Sequence, residues 1–285
     1  MNIKKVALLG YGEVWHILGQ ELQGLELRVF DIKRQHPSCT TVADAVRDAD
    51  LIICAVTAAQ TVAAAQSVTT AMKAGAWYMD LNSASPEAKA QAAAAVTAAT
   101  GRYVEVAVMS PIEPKRLASP MLLGGAHAQG FEPLIRQLGF TGADFYSETP
   151  GKVSATKLCR SIVIKGLEAL ISESLLSARF YGVEDTVLSS LNNLFPHPDW
   201  EGYARYMIAR TLEHGQRRSE EMCEAARTVA QAGITPWMSE ATAKRQAWSP
   251  AFVSALESEG LNPMLDTMRD LLQQSENLPG KETQK

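Results

Sequence analysis

The sequence predicts a two-domain chain: a doubly wound parallel α/β sheet over residues 1–150, then a long interdomain helix opening an all-α domain over 151–285. Three observations carry this expectation. Short continuous apolar runs alternate with helical patterns through the first 150 residues, the mark of strands buried on both faces. A glycine turn, Gly10-Tyr11-Gly12, follows the first of those runs and opens a helix. After Gly151 no strand-like run recurs, and Ala, Leu, Glu and Arg dominate to about Gln274.

Taken in order, Val6–Leu9 reads as a buried strand and Val14–Leu22 as a helix. Leu27–Asp31 is a second strand, Thr41–Arg47 a short helix and Leu51–Val56 a third strand. An alanine-rich helix (Ala58–Lys73), a strand (Trp77–Leu81) and a second alanine-rich helix (Pro86–Ala99) follow. Tyr103–Val108 and Met121–Leu123 complete the strands. Helices are then expected over Lys152–Arg179, Trp200–His214, Gly215–Ala232, Ser239–Ala247 and Pro263–Gln273, punctuated by Pro196, Pro198, Gly233, Pro236 and Pro250.

Composition narrows the function classes. Hydrophobic residues at 46% and charged residues at 20% exclude a disordered or fibrous chain. With 27 basic and 31 acidic residues the net charge is −4, and no basic run forms a nucleic-acid footprint. Cys39, Cys54, Cys159 and Cys223 lie far apart without a CxxC pair, so neither a metal site nor a disulfide framework is expected. The apolar stretch at the start breaks at Gly10–Glu13, too early for a secretory core, and no run is long enough to span a membrane. A cytoplasmic protein is the expectation.

The turn after the first strand carries the first chemical signal. Gly10 permits a tight turn, and Gly12 lets backbone approach a pyrophosphate. The first helical turn, with Tyr11, Glu13 and Val14, supplies N–H donors and positive potential. Asp31 ends the second strand, where a carboxylate can accept hydrogen bonds from the hydroxyls of an adenosine ribose. That placement favours NAD, because Asp31 repels a 2′-phosphate. Lys33 and Arg34 follow at once and leave NADP open. The third position of the turn, normally Gly or Ala, is Trp15, whose indole must tilt the helix or face cofactor or solvent. A catalytically silent dinucleotide-binding sensor is therefore kept as an alternative.

A second signal lies on the long helix. Positions 154, 157, 161, 165, 168 and 172 share one helical face and hold Ser154, Lys157, Ser161, Lys165, Glu168 and Ser172 among apolar neighbours. Such a stripe is either a solvated edge or the wall of a wet cleft, and the preceding Gly151, with a dinucleotide-type domain upstream, favours the cleft.

These features resemble the β-hydroxyacid dehydrogenases. Gly10-Tyr11-Gly12, the run Asp80-Leu81-Asn82-Ser83-Ala84-Ser85-Pro86, the run Ala107–Pro111, and Gly151 with Lys157 six residues later occur in that family's order. His214–Met222 is similar to its 6-phosphogluconate-dehydrogenase-like subgroup. The resemblance implies a Rossmann domain joined to an all-α domain, a homodimer, and hydride exchange between a nicotinamide cofactor and a small anionic hydroxy acid. It implies that Lys157 is the general acid/base and that Ser161 stands at a position usually held by asparagine. Met109 and Ser110 fall where the family has a substrate-contacting Ser-Gly-Gly, and Lys165 is placed for substrate charge or a subunit contact. Asn82 and Ser83 follow a strand end, where ligands gather in such sheets, and Val56-Thr57 is expected on the adenosine–pyrophosphate side.

His214, Arg217, Arg218 and Glu221 recur on one helical face. They read either as an anchor for an anionic substrate or as an exposed face with an i,i+4 ion pair. His16, His36, His127 and His197 share no ligand spacing. A keto-acid or imine reductase on the same plan is the competing enzyme reading.

Overall fold

The computed structural model describes residues 3–22, 24–33, 39–196 and 199–276. The chain divides into two compact units, Met1–Arg160 and Ser161–Lys285. The dividing point falls inside a helix.

The first unit holds a seven-stranded sheet in the order β2-β1-β3-β4-β5-β6-β7. Its strands are β1 (Lys5–Leu9), β2 (Glu26–Phe30), β3 (Leu51–Cys54), β4 (Trp77–Asp80), β5 (Arg102–Val108), β6 (Met121–Gly124) and β7 (Ala143–Ser147). Strands β1 to β5 are parallel, as the buried apolar runs predict. The sheet is not parallel throughout, however: β6 runs antiparallel to β5, and β7 runs parallel to β6. The segment between β5 and β6 contains a 3₁₀ turn (Arg116–Ala118) and no crossover helix, so the chain comes back in the opposite direction.

Helices α1 (Glu13–Glu21), α2 (Val42–Val46), α3 (Thr61–Val68), α4 (Pro86–Ala98) and α5 (Ala128–Gln137) cover the sheet. Alternate residues of each strand serve opposite faces. Leu8, Ile53, Met79 and Val104 form one core with Leu18 of α1 and Phe131 and Ile135 of α5. Ala7, Ile52, Tyr78 and Tyr103 form the other with Val46, Ala65, Ala92 and Val96 of α2, α3 and α4. Helix α5 and strand β7 were not legible as elements in the sequence. Helix α5 holds Gly130 and Pro133, yet Ala128, Phe131 and Ile135 are spaced to bury one helical face. The helix expected over Ala58–Lys73 is shorter, with a 3₁₀ turn (Ala58–Gln60) before α3. Helix α4 begins as its sequence predicts: Ser85 caps it, its Oγ accepting from Ala88 N, and Pro86 takes the first turn.

One buried ion pair ties α4 to the sheet. Lys89 Nζ lies 2.8 Å from Asp80 Oδ1, and neither side chain is exposed beyond 1%. Tyr103 donates its hydroxyl to Asp80 Oδ2 at 2.8 Å, and Lys89 Nζ also reaches the Asp80 carbonyl.

The second unit is helical: the later turns of α6 (Lys152–Tyr181), then α7 (Glu184–Leu194), α8 (Trp200–Gln231), α9 (Trp237–Trp248), a 3₁₀ segment (Ser249–Glu257) and α10 (Leu261–Glu276). The two helices expected on either side of Gly215 are one. Gly215 does not end α8; a Cβ there would lie 2.3 Å from Gln246 O, so the glycine admits the backbone of α9. Helix α7 was also unread in the sequence. The core joins Leu175, Ile208, Leu212, Phe252, Leu265 and Met268.

Because removing one member of a buried pair strands the other charge, Lys89→Met is expected to destabilise the first unit by about 3–5 kcal/mol. A denaturant midpoint for the full chain, read by amide hydrogen exchange over β4 and α4, checks this; an unchanged midpoint would contradict it.

Candidate functional site

The topology places the Gly10-Tyr11-Gly12 turn at a switch point. After β1 the chain goes to β2 on one side, then returns to β3 on the other, and ligands of doubly wound sheets sit outside the strand ends there. Gly10 occupies that point with φ +104°, and a Cβ on it would lie 2.3 Å from Ala55 O just beyond β3. Its N–H donates to Phe30 O at 2.9 Å, joining the turn to β2. Gly12 differs: nothing lies within 4 Å of the Cβ it lacks, and as N-cap of α1 it provides no side-chain cap. Among the described side chains none approaches the Gly12 position at the start of this nine-residue helix, whose first backbone N–H groups suit the diphosphate of a dinucleotide.

Asp31, directly after β2, accepts from Tyr11 N at 2.8 Å and from Lys33 N at 2.7 Å. The carboxylate expected at the adenosine ribose therefore fixes both the glycine turn and the loop that begins at Lys33. Val14 packs against the core of this face. The side chains of Glu13 and Trp15, and the whole of Arg34, His36 and His197, lie outside the described residues.

Asn82 supplies the next wall. Its Oδ1 accepts from Val56 N at 2.7 Å, its Nδ2 reaches Cys54 Sγ at 3.3 Å, and its own N–H donates to Asp80 Oδ1. The side chain of Asn82 is thus spent on holding the Val56-Thr57 loop to the end of β4. Burial pushes the Cys54 thiol up to about 11, so it stays neutral. Thr57 is exposed and Ser83 half-buried. After β5, Met109 N donates to Pro120 O, and Ser110 Oγ donates to Pro111 O.

Helix α6 starts beside this loop. Gly151 has φ +89°, and a Cβ on it would lie 3.1 Å from Pro86 Cβ, the first residue of α4. Glu105, fully buried in β5, accepts from Gly151 N at 2.7 Å and from Ser154 N at 2.6 Å. Lys157 follows one turn after Ser154 and is half-buried. It belongs to the first unit, as do Ser83 and Ser110.

The remaining candidates lie in the second unit. Ser161, Lys165, Glu168 and Ser172 are buried, so from Ser161 onward the polar stripe of α6 is the helix's inner face. Lys165 is ion-paired with Glu221 of α8 and reaches Ser161 Oγ at 3.3 Å. Burial holds the Lys165 ammonium below the usual lysine range, with the Glu221 charge opposing that shift. Arg218 is ion-paired with Glu168, which also accepts from Gln246 Nε2 at 3.0 Å. Arg217, more than half exposed, pairs with Glu221 across one helical turn at 2.6 Å. His214 Nε2 lies 3.2 Å from Glu213 Oε2. Partial burial and the Arg210 charge keep that imidazole below its usual range.

Comparison with known proteins bears on these features. Residues 26–146 match the NAD binding domain of 6-phosphogluconate dehydrogenase, and residues 178–249 match a domain of unknown function (DUF1932). A conserved hypothetical protein from Sinorhizobium meliloti 1021 is 31% identical, over 94% of this chain and 97% of its own, with a TM-score of 0.73. The chain belongs to the 6-phosphogluconate-dehydrogenase-like family of dinucleotide-binding oxidoreductases. The conserved protein MTH1747, of unknown function and described as structurally similar to 3-hydroxyacid dehydrogenases, is 25% identical over 86% of this chain and 98% of its own, with a TM-score of 0.65. Mycobacterium tuberculosis 3-hydroxyisobutyrate dehydrogenase shares the fold at 15% identity, over 94% of this chain and all of its own, with a TM-score of 0.67. Family membership makes NAD(P) the cofactor class of the first unit, and the glycine turn fits it. Among the described residues no cluster of His, Cys, Asp or Glu could hold a metal ion, and no helix is long and apolar enough to cross a membrane.

Sequence reasoning missed Lys89, Glu105 and Gln246. A charge inside the apolar run of β5 was the available signal for Glu105. Lys89 carried none, being one more lysine in an alanine-rich helix.

The two glycines of the turn are expected to fail differently. Gly10→Ala meets backbone and a strained φ together, so about 3 kcal/mol or more of stability is lost. Gly12→Ala leaves stability within about 1 kcal/mol but weakens NADH binding about ten-fold, since its methyl group fills the clear surface. Denaturant midpoints and nicotinamide fluorescence titrations measure the pair; equal losses of stability would contradict the assignment.

Proposed function

We propose that this chain is an NAD-dependent dehydrogenase of small anionic hydroxy acids, with Lys157 as its general acid/base. The observation that carries the reading is the anchoring of the Lys157 helix. Its first turn is hydrogen-bonded to β5 and packed on Pro86, at the end of the same loop that carries Asn82 and Ser83. Bound nicotinamide supplies the hydride acceptor. The hydroxyl proton of the substrate passes to Lys157 Nζ, which therefore enters the oxidation as the neutral amine. Ser83 and Ser110 are assigned to the substrate's acid group. Lys165 and Arg218, the other candidates for an anionic substrate, are already paired with Glu221 and Glu168, so either would have to exchange its carboxylate partner to hold one. Ser161, His214 and Arg217 are read as the polar surroundings of those pairs.

A homodimer is part of the reading. Val163, Leu167 and Leu170 form an exposed apolar stripe along α6, with Val163 60% exposed, while the polar side of the helix is inside. A second copy of the chain is the occupant assigned to it. The cytoplasm is the compartment assigned to the protein.

The deciding experiment is turnover with NAD⁺ against a panel of 3-hydroxy acids, repeated with Lys157→Met. That substitution keeps the apolar stem and removes the amine, so kcat is expected to fall by about 10²- to 10⁴-fold with NADH affinity preserved. Retained turnover would remove lysine catalysis. Reduction of keto acids or cyclic imines without oxidation of any hydroxy acid would favour the reductase alternative. NADH binding without turnover would favour the sensor.

Selectivity follows from Asp31. NADH is expected to bind more tightly than NADPH, and Asp31→Ala to narrow the gap while loosening the Tyr11 turn. A ten-fold preference for NADPH in the unaltered chain would reverse the choice and assign the 2′-phosphate to Lys33.

A further inference from the structure

We infer that Glu105 is a positioning residue for Lys157: a strand carboxylate that sets the rotation and depth of the helix on which the lysine rides. This deepens the functional reading above and rests on Lys157 being the general acid/base.

Glu105 lies in the middle of β5 with no exposed surface. It pairs in register with Asp80 of β4, so two carboxylates sit side by side on one face of the sheet. Lys89 neutralises Asp80 at 2.8 Å. Among the described residues Glu105 makes no ion pair with a lysine or arginine. Its two oxygens instead accept the N–H groups of Gly151 and Ser154, the cap position and third residue of α6. A buried carboxylate is costly unless its acceptors are filled, and a helix N-terminus offers donors and positive potential together.

The helix cannot cap itself in the ordinary way. Gly151 sits at φ +89° against Pro86, where a residue with a capping side chain would be strained and crowded. The strand therefore provides the cap from outside. Gly124 on β6 leaves the room: a Cβ there would lie 3.3 Å from Glu105 Oε2 and 2.7 Å from Val153 Cγ2. Ser154 Oγ donates back to Gly151 O at 3.1 Å and closes the turn. Lys157 stands three residues further on, about 4.5 Å along the axis and nearly one full turn round. Any rotation of the first turn is passed directly to its side chain.

The test uses the full chain with Glu105→Gln and Glu105→Asp. Glutamine keeps one acceptor but aims an NH₂ group at the other N–H; aspartate keeps the charge and is one methylene short. In Glu105→Gln, amide hydrogen exchange over residues 151–157 is expected to rise about ten-fold or more, with the segment 51–80 unchanged. NADH affinity by fluorescence titration should stay within about three-fold. With 3-hydroxyisobutyrate and NAD⁺ as the probe pair, kcat should fall about 100-fold while KM holds, as for a misplaced catalytic group. Glu105→Asp should recover part of the loss in both exchange and kcat, and it decides the matter if the glutamine variant does not fold. Unchanged exchange and unchanged kcat would overturn the inference. A loss of NADH affinity as large as the loss of kcat would also overturn it, by making Glu105 a general support of the domain. If the unaltered chain does not oxidise the probe, the functional reading fails on its own account. The exchange measurement still decides whether Glu105 holds the helix.

Discussion

Two carboxyl groups buried on neighbouring strands impose the constraint around which the first unit is arranged. Asp80 and Glu105 face each other in register across β4 and β5, where water cannot solvate either. Side-by-side like charges are unfavourable in a sheet, so each must find its own donors. Asp80 takes Lys89 from α4, the Tyr103 hydroxyl and the Asn82 amide. Glu105 takes the first N–H groups of α6. Helix α4 and the first turn of α6 are thereby tied to β4 and β5 through these two carboxylates, with apolar packing filling in around them.

The consequences run outward to the cofactor end. Asp80 orients Asn82, and Asn82 in turn holds Val56 N–H, which sets the loop after β3. That loop's Ala55 carbonyl is what forbids a side chain at Gly10. On the far side Asp31 grips the same turn through Tyr11 N–H. The glycine turn is therefore held by Asp31 and flanked by a loop that Asn82 holds, which preorganises it before any ligand arrives. Preorganisation of this kind lowers the ordering cost of binding.

The second unit uses charge differently. Lys165–Glu221 and Glu168–Arg218 are two buried pairs joining α6 to α8, and Gln246 of α9 completes the second. Buried pairs of this sort contribute little net stability over apolar packing, because desolvation offsets the attraction. They do specify which faces meet. With polar residues inside, α6 leaves Val163, Leu167 and Leu170 on its outer face, the reverse of an ordinary surface helix.

Local pattern alone determined the β1 to β5 order of strands and helices, the glycine turn with Asp31, and the length of α6. Each depends on residues close in the chain: continuous apolar runs, a Gly-x-Gly between strand and helix, a period of 3.6 that runs on through Gly166. It also marked the polar stripe of α6, but not which way that stripe faces. The partners of Lys165 and Arg218 lie about fifty residues away in sequence, and no periodicity encodes who meets whom. For the same reason the antiparallel turn into β6, the unbroken α8 at Gly215 and the burial of Lys89 were settled only in three dimensions. A glycine inside a helix reads as a break until the neighbouring backbone that needs the space is in place. A lysine reads as solvated until a carboxylate with nowhere else to turn is found beside it.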